Sequence, residues 1–144
     1  MNPSYKENGT TISVDNALRT LSDNGFVVNK ISSSGSTLVS KLALEIRTRS
    51  PIFLKGNEEG KSVGHAWVCD GYKCNKVQYA AYMIESLHED YIFYSGMTDI
   101  VSQYFHMNIG WGKDTNMWYY LEDVNPGGSA FNSSRAYYSI RPNK

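Results

Sequence analysis

The clear helical periods of this 144-residue chain lie before Pro51, and most apolar stretches after it read as strand. Ser13 is a good N-cap for a first helix. Val14, Ala17, Leu18 and Leu21 then fall at i, i+3, i+4 and i+7, one apolar face. Gly25, after Asp23-Asn24, is a left-handed stop. Phe26 to Ile31 reads as a strand and Ser32 to Ser36 as a loop. A second helix is predicted from about Thr37 to Arg47, with Leu38, Leu42 and Ile46 as its buried stripe and Val39 and Ala43 widening it. It must end before Pro51, which disfavours helical backbone at the residue ahead of it. Helices first and strands afterwards is an α+β order. It predicts a single domain over residues 1–144, two N-terminal helices packed on one face of a twisted antiparallel sheet or half-barrel.

The strand half begins with Ile52-Phe53-Leu54 and an exposed turn over Asn57 to Lys61. A strand from His65 to Cys69 follows, closed by an Asp70-Gly71 turn. Residues 76–107 carry Tyr79, Tyr82, Met83, Ile84 and Leu87, which suit either period. They read as a Tyr-rich β excursion, with strands at Tyr91–Tyr94 and Tyr104–Asn108, a turn at Gly96 and a solvated loop around His88. Trp118 to Leu121 and Ala136 to Ile140 are further strands, separated by a mobile loop at Asn125-Pro126-Gly127-Gly128-Ser129. Residues 1–12 are polar, with a turn signal at Asn8-Gly9, and read as a flexible lead-in. Eleven tyrosines and three tryptophans favour a strand-rich chain with half-wet clefts.

Charge and composition remove several function classes. The net charge is zero and no basic patch is visible, so neither nucleic acid nor an anionic membrane is an expected partner. No 18-residue apolar run is present, so no membrane-spanning helix is expected. The N-terminus has no apolar core of the signal-peptide kind, which leaves a cytosolic chain or a piece of a longer exported precursor. Cys69 and Cys74 would close only a small disulfide loop, and no histidine stands near them at zinc-ligand spacing. No metal or cofactor is expected.

The chemistry-bearing stretch is Gly64-His65-Ala66-Trp67. His65 opens a strand, a rigid mount for a general base, and the small Gly64 and Ala66 leave room for a substrate. About forty residues on, Asn108-Ile109-Gly110-Trp111-Gly112 offers an amide carbonyl to orient an imidazole and an indole to shield it. An isolated histidine and asparagine of this kind are more commonly a strand-end residue and a turn former. Cys69 lies on the same strand as His65, about 13 Å away at ~3.3 Å per residue, too far to be its nucleophile. His106 should share a face with Asn108 as structural support, and Asp70 should be a turn residue.

Taken in order, Pro51 to Leu54, Gly64 to Tyr72, His106 to Gly112 and Tyr120 to Pro126 resemble the C-terminal half of the streptopain family. These are secreted bacterial cysteine peptidases with a papain-like fold. The resemblance covers residues 13–142, with 75–104 as a Tyr-rich insertion. It implies that His65 is the catalytic histidine, that Asn108 and Trp111 belong to the turn supporting it, and that Gly127 and Gly128 border the substrate cleft. It implies a peptide or protein substrate and a secreted or periplasmic setting. The family's turn has a Trp where Ile109 stands. In papain-like enzymes the nucleophilic cysteine lies about 130–150 residues ahead of the histidine, yet no cysteine precedes His65 here. Three arrangements are open: a C-terminal part of a longer peptidase, an inactive relative that binds without cutting, or a second chain supplying the missing half.

Overall fold

The structure, a computed structural model, describes residues 4–6, 9–11, 13–61, 64–86 and 90–143. Strands β1 (Ser4–Lys6) and β2 (Gly9–Thr11) form a small antiparallel pair. The lead-in expected to be flexible therefore contains paired backbone. Helix α1 (Val14–Asp23) starts after Ser13 and stops at Asn24, with Gly25 at φ +83° as the left-handed exit. Its apolar stripe is only half-buried, alongside β3 (Phe26–Lys30). Helix α2 (Gly35–Arg47) runs two residues further back than its sequence period indicates.

The main sheet has six strands, all antiparallel, in the order β3-β8-β4-β5-β6-β7. The remaining strands are β4 (Ile52–Asn57), β5 (Gly64–Ser86), β6 (Asp90–Asn108), β7 (Met117–Tyr119) and β8 (Ser133–Pro142). The α+β class and the helices-then-sheet order are as expected. The core forms on the sheet face covered by α2. Leu38 and Leu42 of the helix meet Ile52, Leu54, Trp67, Cys69, Phe105, Met107 and Tyr137, with Val39 and Ile46 packed at its margin. Period-two alternation sets this face: His65, Trp67 and Cys69 point to the core side, while Ala66 and Val68 point away.

Two expected turns are absent. Asp70-Gly71 lies inside β5, where the register shifts between Cys69 and Gly71, a β-bulge rather than a chain reversal. Glycine is required there by proximity: a Cβ at Gly71 would sit 2.8 Å from the His106 Cβ and 3.1 Å from the Trp118 ring. Gly96 likewise lies within β6, next to a second register shift between Ala81 and Tyr82. An Asp-Gly pair signals a bulge as readily as a turn, and only cross-strand pairing decides between them. The β excursion is accordingly one long hairpin, β5–β6, extending well beyond the sheet. The loop read around His88 lies outside the described residues.

Candidate active site

His65 stands at the start of β5, paired with Gly56 of β4, and its ring points to the core side of the sheet. Gly56 is glycine because a Cβ there would lie 2.5 Å from the Phe131 carbonyl oxygen. The His65 Nε2 is 2.8 Å from the carbonyl oxygen of Ile109. A carbonyl can only accept, so Nε2 carries the hydrogen and donates it. In the neutral ring, Nδ1 is then the nitrogen with a free lone pair, the one able to take a proton.

Aromatic rings close around the imidazole. The Trp111 ring centroid lies 4.6 Å from it, Phe131 lies 5.6 Å away, and Trp67 stacks beneath at 6.2 Å. Trp111 also meets Phe131 edge-on at 5.7 Å. Trp67 is anchored by its indole N–H, 3.3 Å from the Met107 sulfur. Trp111 is 49% exposed, so it covers the histidine from the solvent side, while Trp67 and Phe131 support it from within.

The carbonyl that holds the imidazole is itself fixed. Ile109 is buried, and its N–H donates to the Asn116 side-chain oxygen at 2.8 Å. Gly110 and Gly112 take φ of +83° and +117°, which lets the chain turn tightly between Ile109 and a one-turn helix at Lys113–Thr115. Asn116 was not singled out from the sequence. Its signal is an asparagine seven residues past Ile109, which means nothing until the turn folds back.

The residues named from sequence separate into two groups. His65, Trp111 and Gly64 come together. Asn108 does not join them: it pairs with Val68 on the opposite face of the sheet and is exposed. The backbone carbonyl of the next residue, Ile109, holds the imidazole where the Asn108 amide was expected to do so. Ala66 pairs with Lys55 and also faces away from His65. Gly64 sits where a Cβ would come within 2.6 Å of the Asn57 side chain, so its smallness serves strand packing. Gly127 and Gly128, at φ +59° and +85°, form a tight turn after the buried Pro126. That turn is tied down: Ser129 N–H donates to Pro126 O at 3.1 Å. The segment leads into Phe131, whose carbonyl accepts from Arg135 Nε at 2.9 Å. Arg135 also bonds the Leu121 carbonyl and the Asn132 side chain.

Neither cysteine belongs to this group. Both are free thiols. Cys69 is buried among core residues, and desolvation pushes its thiol up to about 12, while its Sγ points at the Gly71 carbonyl, 3.7 Å away. Cys74 is exposed on the far part of β5. His106 shares the outer face with Asn108 and contacts Asp70 at 2.5 Å, so Asp70 pairs with a histidine across a bulge instead of making a turn.

The sequence model of the peptidase C10 family matches residues 1–119, which takes in His65, the Ile109 turn and Trp111. The chain belongs to the peptidase C10 family. The Gly127-Gly128 stretch lies beyond the matched span. No curated protein matches the chain. Among solved structures, active wild-type interpain A, a cysteine protease of Prevotella intermedia, is similar in fold, with a TM-score of 0.58 at 14% identity. The likeness covers 96% of this chain and 48% of that one, so this C10 chain spans about half the length of the protease it matches.

Proposed function

We propose that this chain is the general-base half of a cysteine endopeptidase, completed by a segment or second chain that carries the nucleophilic cysteine and the oxyanion-hole donors. The observation that carries this reading is the His65–Ile109 hydrogen bond, which leaves Nδ1 with a free lone pair, as a general base needs. Membership in the C10 family and the half-length match to a cysteine protease fold support it. His65 Nδ1 takes the proton of the incoming thiol. The thiolate attacks the scissile carbonyl, and the imidazolium then returns the proton to the leaving amine. Water, deprotonated by the same nitrogen, releases the acyl group. Trp111 keeps bulk water off the imidazole, and Ile109, held by Asn116, keeps the ring in one tautomer. A secreted or periplasmic setting for this chemistry is part of the proposal, in keeping with the family.

The test is activity on a fluorogenic peptide, measured for this chain alone and for the protein with its cysteine-bearing part. The chain alone should be inactive. The completed protein should lose about 10²–10⁴-fold in kcat with His65→Ala and keep its rate when Cys69 and Cys74 are both replaced by alanine. Turnover by this chain alone after both replacements, or full activity of the completed protein without His65, overturns the reading.

A second reading, an inactive peptide-binding module, is favoured by the half-exposed Trp111 and its contact with Phe131, an open aromatic wall. Saturable peptide binding by calorimetry, with no cleavage even in the native full-length protein, would select it.

A further inference from the structure

Helix α2 lies chiefly over β4 and β5. Between its flank and the neighbouring strands β8 and β3 a groove of about 500 Å³ remains. Strand pairing sets what faces it. Tyr137 points to the α2 side, so Ser139 and Arg141 of β8 do too, as does Asn29 of β3, which pairs with Ser139. On α2, Lys41, Leu44 and Glu45 fall at i, i+3 and i+4, one flank of the helix beside its buried stripe. Ile31 and Ser32, in the short link from β3 to α2, also line the groove, and Lys30 borders it from the edge strand.

The polar groups of this groove lack partners. Ser139 is 2% exposed, yet its hydroxyl makes no hydrogen bond among the described residues. Every fully enclosed side-chain oxygen of the described residues is bonded, so this one opens onto the groove. The Asn29 amide and the Ser32 hydroxyl make no hydrogen bond among the described residues either. Charge is also uncompensated. Glu45, the i+4 neighbour of Lys41, binds Arg141 instead, with Arg141 Nη2 donating to Glu45 Oε2 at 2.6 Å. Lys41 and Lys30 have no carboxylate partner among the described residues. Three cations thus stand against one carboxylate. Leu44, 62% exposed, and the half-buried Ile31 give the same groove an apolar side.

We propose that the groove binds a small phosphomonoester, with its phosphate at Lys41, Arg141 and the Ser139 hydroxyl and its organic part against Ile31 and Leu44. The surplus of two positive charges matches a phosphate group, which carries about −1.5 to −2 at pH 7. Hydroxyl, amide, ammonium and guanidinium all donate, and phosphate oxygens accept. Arg141 has donors to spare, since a guanidinium offers five N–H groups and Glu45 engages only Nη2. The volume exceeds what inorganic phosphate fills and lies within the ~300–1,000 Å³ of small-molecule sites, which calls for an organic part. The groove is separate from the imidazole: Ser139 pairs with Ile52 of β4 and His65 with Gly56, roughly 13 Å further along that strand.

Isothermal calorimetry of the full chain with phenyl phosphate tests this. Saturable binding is expected, tighter than for inorganic phosphate. Lys41→Gln should raise the dissociation constant by about tenfold or more, the effect of losing one bond to a charged donor. Ser139→Ala, which removes a hydroxyl the fold does not use, should raise it by about three- to tenfold and leave the melting temperature of the free chain unchanged. Lys55→Gln, on the opposite face of the sheet, should leave binding as it is. An amide NMR titration of the unmutated chain gives a readout independent of variants: signals of Asn29, Ser32 and Ser139 should move and that of His65 should not. Absence of saturable binding, or equal effects of the Lys41 and Lys55 variants, would overturn the site. Succinate binding as tightly as phenyl phosphate would overturn the phosphate assignment. Loss of binding when the cysteine-bearing part is present would overturn a ligand role and assign the groove to that contact.

Discussion

His65 and Ile109 lie 44 positions apart in the sequence and meet through one hydrogen bond, imidazole Nε2 to backbone carbonyl at 2.8 Å. A main-chain carbonyl makes the orientation of the imidazole insensitive to which side chain occupies position 109. It makes that orientation depend instead on whatever fixes the backbone there, which is Asn116.

Asn116→Ala should therefore act on His65 without touching it. The substitution leaves the buried Ile109 N–H without an acceptor, a loss of about 1–3 kcal/mol. The expected outcome is a lower urea midpoint at unchanged m-value, together with a shifted and broadened His65 ring signal by NMR. Asn108→Ala, on the outer face, should leave the His65 signal where it is.

Arg135 ties the segment carrying Phe131 to β8 through three acceptors. Arg135→Ala should destabilise the fold by about 2 kcal/mol or more, since bonds to a charged donor contribute about 1.5–3 kcal/mol each and part of that is recovered from water. The Phe131–His65 contact should loosen with it. Faster hydrogen exchange over residues 121–133, with β4 and β5 unchanged, would show that the effect is local.

Gly56→Ala introduces a Cβ against the Phe131 carbonyl and 3.0 Å from the Trp67 ring, directly behind the imidazole. Backbone atoms have little freedom to yield, so a loss of about 1–3 kcal/mol is expected. Thermal denaturation should show the fall, and Trp fluorescence should shift as Trp67 is displaced.

The thiols should differ sharply in reactivity. Cys74, exposed, should titrate at once with a disulfide reagent at pH 8, while Cys69 should react only on unfolding. Burial raises the Cys69 thiol from 9.0 to about 12 in the folded protein. The unfolded chain thus releases this proton first as pH rises. The stability due to the neutral thiol is fully present below pH 9 and is lost progressively between pH 9 and about 12, by up to ~1.4 kcal/mol per pH unit. Cys69→Val should flatten the fall in melting temperature between pH 9 and 10; an unchanged slope would exclude the thiol as its source.

The local signals in the chain were enough for the helices, the strand mounting His65 and the aromatic cover. The apolar period before Pro51, Gly25 as a left-handed exit and the alternation through His65, Trp67 and Cys69 each depend on near neighbours, which the sequence displays directly. The glycine-rich turn with Trp111 was legible for the same reason.

What the sequence could not settle depends on register. Whether Asp70-Gly71 reverses the chain or bulges it is decided by how β6 pairs across from it. Whether Asn108 or Ile109 serves His65 depends on parity, because one step along a strand moves a side chain to the other face of the sheet. Asn116, Phe131 and Arg135 gain their roles only when segments distant in sequence close on one another. The residue types by themselves specified a strand-mounted histidine, an aromatic cover and a tight turn; tertiary pairing decided which atoms meet, because hydrogen bonds discriminate at a few tenths of an ångström and sequence spacing does not.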